Sequence, residues 1–467
     1  MDAECSGKVR KNGEKNCSDG FQSEDKISLT DSDDSGYTEV PVDVGVKLTE
    51  SDVDRFLRTT RTGEGLPGDF EKLAVAEQKQ CILEKLKKDL PEVANVLPDN
   101  LLDMVPAFFR PGDCGRPQMQ KPDWLDVAKF QSGQQFAQNY LGPISLSEML
   151  SLFLVFSFDN GLKPLIITNQ SDTLYKSYKR YLSTTLRLMN WYQEDPWMEG
   201  SSAFKDIQNV RRMHMAIRKK LERMGVEQMD RESTIERAYC PWKNITVEDF
   251  QEAIPEPLEG QCPFVNCNAN IIGMNQGDMA ITQFSFVGLF LVHPAAFGVH
   301  YATDEQLEAF CHLWRSIGFL LGIEDEYNFC RGTLREVQER TRNLIEYWVK
   351  PNLRLITPEW EHMMRCLIEG THYYFPAINY EAAILYLAEI LNIDAPRLYA
   401  AQPYLKWFKY SSMRFYLRYT CRIPYMLSLL TRFMKESVKR AENYPPEIDA
   451  VIKAHSDRKM AYLPDML

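Results

Sequence analysis

The chain has 467 residues, 44 % of them hydrophobic and 12 % aromatic, with a formal net charge of −11. That length supports a large core of roughly one to three domains, and the acidic balance excludes bulk attraction to nucleic acid. The opening MDAECSGKVRKNGEK lacks an apolar signal-type run, so a cytoplasmic chain with its scattered cysteines reduced is expected.

Residues 1–68 are polar, rich in Ser, Asp, Glu, Lys and Gly, and lack a sustained apolar period. They are predicted to be disordered or loosely ordered, with structure beginning near Phe70. Long helical patterns follow. Helices are predicted over Glu71–Lys88 and over Trp124–Tyr140, the second broken by Gly142–Pro143. Ser147–Phe158 is strongly apolar, Thr173–Asn190 has a broad apolar inner surface, and Ile207–Met224 is a further amphipathic helix. Residues 225–270 read as looser.

A long helix is predicted from Asp278, whose carboxylate suits the unpaired amides of a helix start. Met279–Leu291 is almost wholly apolar, and Pro294 should end or bend it. The span Met279–Val299 is long enough to invite a membrane reading. Its Gln283, Ser285, His293 and Pro294 fit the central buried helix of a large bundle better. Helices over Glu305–Gly322, Arg331–Lys350, Glu361–Ile368 and Tyr380–Leu391 and a helical tail complete the pattern, with no alternation that would build a large sheet. The predicted fold is all-α: a large helical bundle around a central apolar helix. Residues 69–395 form its main helical domain, and 396–467 a basic aromatic helical tail packed on it.

His214 is the candidate around which a function can be built. In NVRRMHMAIRKKL it shares a helix face with Val210, Ile217 and Leu221. A core-facing imidazole needs a partner or a metal, because a buried polar group left unsatisfied is costly. A hydrogen-bonded core histidine meets that need. So does an axial bond to a haem iron.

Five stretches carry a family resemblance: PDWLDVAKFQSGQQFAQNYLG (122–142), LYKSYKRYLSTTLRLM (174–189), VRRMHMAIRKKL (210–221), NQGDMAITQFSFVGL (275–289) and HLWRSIGFLLGI (312–323). In order and spacing they resemble the rubber oxygenase family of haem proteins, which includes the latex-clearing protein. The resemblance implies a haem b (iron protoporphyrin IX) held between helices, globin-like in its use of one axial histidine, here His214. It implies roles for Arg180 and Thr184, four residues apart on the preceding helix: Arg180 toward a propionate or bound oxygen, Thr184 as a donor to oxygen. The alternatives are a structural ion pair for Arg180 and a bond to the backbone four residues back for Thr184. Arg315 is a second candidate for a propionate, or half of a buried ion pair, and Trp314 a haem-packing or core residue. Asn275, Gln276 and Asp278 form a helix cap or a site wall. The latex-clearing protein has an iron-capping lysine where this chain has Ser183, which is too short to copy that cap. The activity implied is oxidation or cleavage, with O₂, of a carbon–carbon double bond in an apolar isoprenoid or lipid-like molecule. A haem enzyme acting on peroxide or another activated group, and a haem-binding sensor or carrier, are the alternatives.

Other groupings are poorer. His293 and His300 lack further ligands, and Cys240, Cys262 and Cys267 lack the spacing of a zinc site. Between Arg397 and Arg440 lie ten Lys or Arg residues, one acid (Glu436) and interleaved aromatics. That tail reads either as a solvated surface packed on the core or as a peripheral contact with an intracellular membrane.

Overall fold

The computed structural model describes residues 52–258, 261, 271–376 and 378–462. Among them the only β-type pairing is an isolated bridge between Pro111 and Asn275, and the architecture is all-α. The helices run α1 (Asp52–Thr62), α2 (Val75–Asp89), α3 (Pro91–Val96), α4 (Asp99–Leu102), α5 (Val127–Asn139), α6 (Leu141–Val155) and α7 (Asp159–Ile167). Then come α8 (Leu174–Gln193), α9 (Ser202–Glu222), α10 (Val226–Glu232), α11 (Lys243–Ala253), α12 (Gln276–Val292), α13 (Asp304–Leu320), α14 (Leu334–Leu344) and α15 (Lys350–Leu353). The last group is α16 (Pro358–Thr371), α17 (Tyr380–Ile390), α18 (Pro396–Ala400), α19 (Tyr404–Arg418), α20 (Pro424–Glu442) and α21 (Pro446–Tyr462).

The centre is α12. Its sequence is apolar almost all round, so it is covered all round: α6, α13, α14 and the turn Val105–Phe109 pack on it. Phe284, Val287, Leu289, Phe290 and Leu291 have no exposed surface. Its first turn is closed by a capping box, in which Asn275 and Asp278 each accept the other's backbone N–H. Its last turn stops at His293 because Pro294 has no N–H to continue the ladder. The two glutamines of α12 are buried and fully used. Gln283 donates to the Trp314 carbonyl at 2.7 Å and to Asn328 Oδ1 at 3.0 Å, and accepts from the Phe329 amide at 2.8 Å. These bonds tie α12 to α13 through polar groups inside an apolar core.

Helix α6, LGPISLSEMLSLFLV, is buried on nearly every side. Gly142 and Pro143 do not lie in a loop. They sit in its first turn, where a missing N–H costs nothing. No single described helix is long and apolar enough to cross a membrane. The α6–α7 pair has the length and composition, but it is bent by 101°. Helices α5 and α13 approach closely because Gly133 has no side chain.

Two expectations are corrected. The polar segment predicted over residues 1–68 is not uniformly loose. Helix α1 lies within it, and Phe56 and Leu57 join the main core, because two adjacent large apolar side chains suffice to seat it. Residues 1–51 lie outside the described residues. The stretch after residue 225 contains the helices α10 and α11, with Phe250 fully packed. The helical tail runs on through α21, which is tied to α8 by Tyr175 and Lys179 bonding to Asp449.

A Cβ at residue 133 would collide with the Ala309 carbonyl oxygen and lie 2.8 Å from Leu313 Cβ. Gly133→Ala should therefore destabilise the fold by about 1–3 kcal/mol, through overpacking between rigid helices. Urea unfolding measures it, and a wild-type midpoint would show that the two helices can separate freely.

Candidate active site

His214 stands on α9 between two clamps. Arg211, one turn before it, is held by Asp113 through two bonds, Nε to Oδ2 at 2.8 Å and Nη2 to Oδ1 at 2.5 Å. Burial works against the Asp113 carboxylate, but the bonds from Arg211 and the Gly115 amide, together with the Arg211 charge, leave its pKa lowered. Arg218, one turn after His214, donates to the carbonyls of Ile272 and Gly273. The spacing 211–214–218 puts all three on one side of the helix, so the clamps fix the rotation of α9 and with it the direction of the imidazole.

That direction is into a cavity of about 810 Å³ walled by α6, α7, α8, α9, α12 and α13, with α16 and α20 contributing Leu367 and Met434. The volume lies within the range of small-molecule and cofactor sites. Its walls are mostly apolar, with Leu152, Phe156, Leu188, Ile281, Phe286 and Leu367 among them. Phe286 stacks on Trp314 at 4.4 Å, and the indole forms part of the wall. Arg180, Ser183, Thr184 and His214 all face this one space.

His214 Nδ1 is buried and has no hydrogen-bond partner. Burial, then the charge of Arg180, pulls the ring's pKa down to about 4 against the opposing pull of Asp113, so the imidazole is neutral at pH 7. A neutral ring is the form that binds a metal. An unpartnered buried nitrogen costs roughly 1–3 kcal/mol until it gains a partner of its own. Arg180 is also under-used. It makes one long contact, Nη1 to Thr168 Oγ1 at 3.5 Å, and has no carboxylate partner among the described residues. A part-buried guanidinium without an anion is a ready site for one.

The other candidates fare differently. Thr184 takes the alternative foreseen for it. Its hydroxyl donates to the Arg180 carbonyl at 3.0 Å, so in this rotamer it offers the cavity an acceptor rather than a proton. Arg315 takes the ion-pair alternative given for it. It is not part of the cavity wall. Its guanidinium grips Asp325 through 2.7 and 2.9 Å bonds and lies 3.9 Å over the Trp124 ring. Helical geometry explains this: Trp314 faces the cavity, and its chain neighbour is turned about 100° away. Asn275 and Asp278 make the helix cap, and Asp278 is also in the cavity wall. His300 is bonded to the Leu417 carbonyl. Cys262 and Cys267 lie outside the described residues.

Two acids complete the cavity. Glu148, the one charged residue of α6, is buried and has a single partner, the Tyr192 hydroxyl, which donates at 3.1 Å. Burial pushes its pKa up to about 8 against that bond. Burial likewise raises Asp278 to about 7, against the amides of Asn275 and Met274 and the charge of Arg218. Glu148 escaped the sequence reading, although a lone acid in a fifteen-residue apolar helix is a usable signal.

No family model matches the chain, and no curated protein matches it. Among solved structures it is similar to the latex clearing protein LCP in the closed state, at 17 % identity over 81 % of this chain and 93 % of that one, with a TM-score of 0.46. What the chain does is therefore argued from the cavity and the groups that face it.

Glu148 has a folded pKa near 8 against an ordinary value of 4.5. Between those values the folded chain keeps a proton that the unfolded chain has released. The stability it contributes is thus whole below the lower value and is lost as pH rises through the window, by about 1.4 kcal/mol per pH unit. Glu148→Gln keeps an acceptor for Tyr192 and cannot ionise. Its thermal midpoint should gain on wild type steadily from about pH 5 to about pH 8 and then level off. A gap independent of pH would mean that the carboxyl is not held protonated.

Proposed function

We propose that the chain is a haem-dependent oxygenase acting on an apolar, unsaturated isoprenoid or lipid-like substrate. The observation that supports the reading best is the juxtaposition in one apolar cavity of a neutral histidine with a buried, unpartnered nitrogen and an arginine with no anion. These residues fit the group that the sequence resemblance implies. His214 would hold the iron, and Arg180 a propionate, while Phe286, Trp314 and the aliphatic wall would pack the apolar macrocycle. When bound, haem supplies the O₂ chemistry that no side chain can perform.

The chain's own residues do the rest. The apolar walls exclude water and select a hydrocarbon by burying its surface. The clamps Arg211–Asp113 and Arg218 hold the imidazole in register. Glu148 and Asp278 each hold a proton near neutral pH at the cavity wall, available to a polar product as it forms. Cleavage of the alkene would consume one O₂ and yield two carbonyl products, a balance that needs no external reductant. Ser183 in the cavity wall is too short to reach across it, so a small ligand keeps free access.

Purified wild type reconstituted with haem should show a Soret band, and His214→Ala should not, with both chains equally helical by circular dichroism. Equal haem binding by the variant would remove His214 from the site. Arg180→Ala deletes one charge-assisted contact worth about 1.5–3 kcal/mol, so haem affinity should fall roughly ten- to a hundred-fold with the chain still folded. Oxygen uptake on terpenoids or unsaturated lipids should require no peroxide. Turnover that needs peroxide and consumes no O₂ would overturn the oxygenase reading while leaving the haem site intact.

A further inference from the structure

The outward face of α19 and α20 is apolar where a surface helix should be polar. On α19, Tyr404, Phe408 and Phe415, continued by Tyr419 at its cap, follow at spacings of four, seven and four, so they form one stripe. Their exposures are 75, 56, 61 and 58 %. Leu417 lies on the opposite side and is buried, and Tyr410, Met413 and Tyr416 on that flank pack against the core. The helix thus has two apolar faces, and only one is covered. On α20 the pattern repeats. Tyr425, Leu429 and Phe433, spaced by four, point outward, while Leu427, Met434 and Val438 point in. Ile423, 55 % exposed, joins the two stripes at the corner between the helices. Exposed apolar stripes of this kind mark a binding surface.

Charge decides what it binds. Lys409, Arg422, Lys435, Lys439 and Arg440 have no carboxylate partner among the described residues, and Arg414 and Arg418 share the single carboxylate of Glu389. A chain of net charge −11 therefore places unneutralised cations on the helices that carry these exposed aromatic side chains. Aromatic and aliphatic side chains ringed by Lys and Arg match the boundary between acyl chains and anionic headgroups. A protein partner offers no equally broad anionic plane.

We propose that the α19–α20 face is a peripheral docking surface for a bilayer containing anionic phospholipids. The same face leads to the cavity. Phe433 packs on Phe375 at 6.2 Å between ring centroids, and both Phe375 and Met434 line the cavity wall. An apolar molecule dissolved in the bilayer would meet the cavity at this wall. That delivery role rests on the oxygenase reading above, whereas the docking itself does not.

The test uses the full chain with vesicles of phosphatidylcholine alone and of phosphatidylcholine with phosphatidylserine, read by flotation. Wild type should float with the anionic vesicles and be released by high salt. Phe408→Ser combined with Phe415→Ser and Tyr425→Ser should lower binding by more than about ten-fold, through lost apolar insertion. Lys439→Glu with Arg440→Glu should abolish the preference for phosphatidylserine. All of these side chains are exposed, so the variants should melt as wild type does. If the triple variant does not fold, Phe415→Ser alone carries the same test. Absence of wild type from both vesicles, or binding indifferent to these changes, overturns the proposal. So does a dimer in sedimentation velocity that the triple variant dissociates, since a second copy would then cover the face. Haem content of the vesicle-deficient variants should equal wild type, which separates failure of docking from failure of the cavity reading.

Discussion

One buried amide holds the active end of the bundle together. Gln276 Nε2 donates to the carbonyls of Pro111, Gly112 and Gly322 at 3.0–3.1 Å, and its Oε1 accepts from the Glu324 amide at 3.0 Å. Those carbonyls belong to two loops that no regular ladder satisfies, and left unpaired in the core they would be costly. By binding both, Gln276 sets the 110–113 loop against the first turn of α12 and the end of α13. Asp113 is next in that loop, and it holds Arg211 and thereby the rotation of the helix that carries His214. Met274, just before the α12 cap, adopts φ +59, and its carbonyl accepts from the Gly112 amide. That conformation is uncommon for such a side chain. It persists because the surrounding bonds over-determine it.

The cavity follows from a mismatch in packing. Helices α6 and α12 are apolar on nearly every side and fill the interior between them. Helices α8 and α9 are amphipathic and present mixed faces, with Arg180 and Thr184 on one and His214 on the other. Where mixed faces meet apolar ones, side chains do not interdigitate completely, and the remaining space is lined by hydrocarbon with a few polar groups. In that low-dielectric setting charge is suppressed on acids and base alike: Glu148 and Asp278 are pushed up and His214 down. One physical cause thus produces a neutral imidazole and two protonated acids in the same space. Arg180 is the exception, a fixed cation that raises the cost of protonating the histidine and keeps a demand for an anion. The outer helices α19 and α20 follow the same rule on their inner faces and leave one apolar stripe uncovered.

Much of this was legible in the residues. The apolar run 279–291, with an acid at its start and a proline after it, fitted a buried helix better than a membrane span. The period of VRRMHMAIRKKL put His214 on an inward face, and the arginine and threonine four apart fell where they meet the same space. For Arg315 the residues left a propionate and an ion pair open, because the partner, Asp325, is ten residues on and only packing brings it into reach. Glu148 was hidden because α6 is apolar throughout, so its period names no inner side. Helix α1 was hidden because composition averages over a window, while burial needs only Phe56 and Leu57.

The sequence by itself determined the class of fold, its central helix and the side on which the histidine lies, because these depend on periods of a few residues and on local caps. Only the tertiary structure decided that His214 lacks a partner at Nδ1, that Arg180 lacks an anion, that Arg315 is occupied by Asp325 and that Glu148 is desolvated. Each of those depends on which groups from distant parts of the chain come within hydrogen-bonding reach, and that is a property of packing.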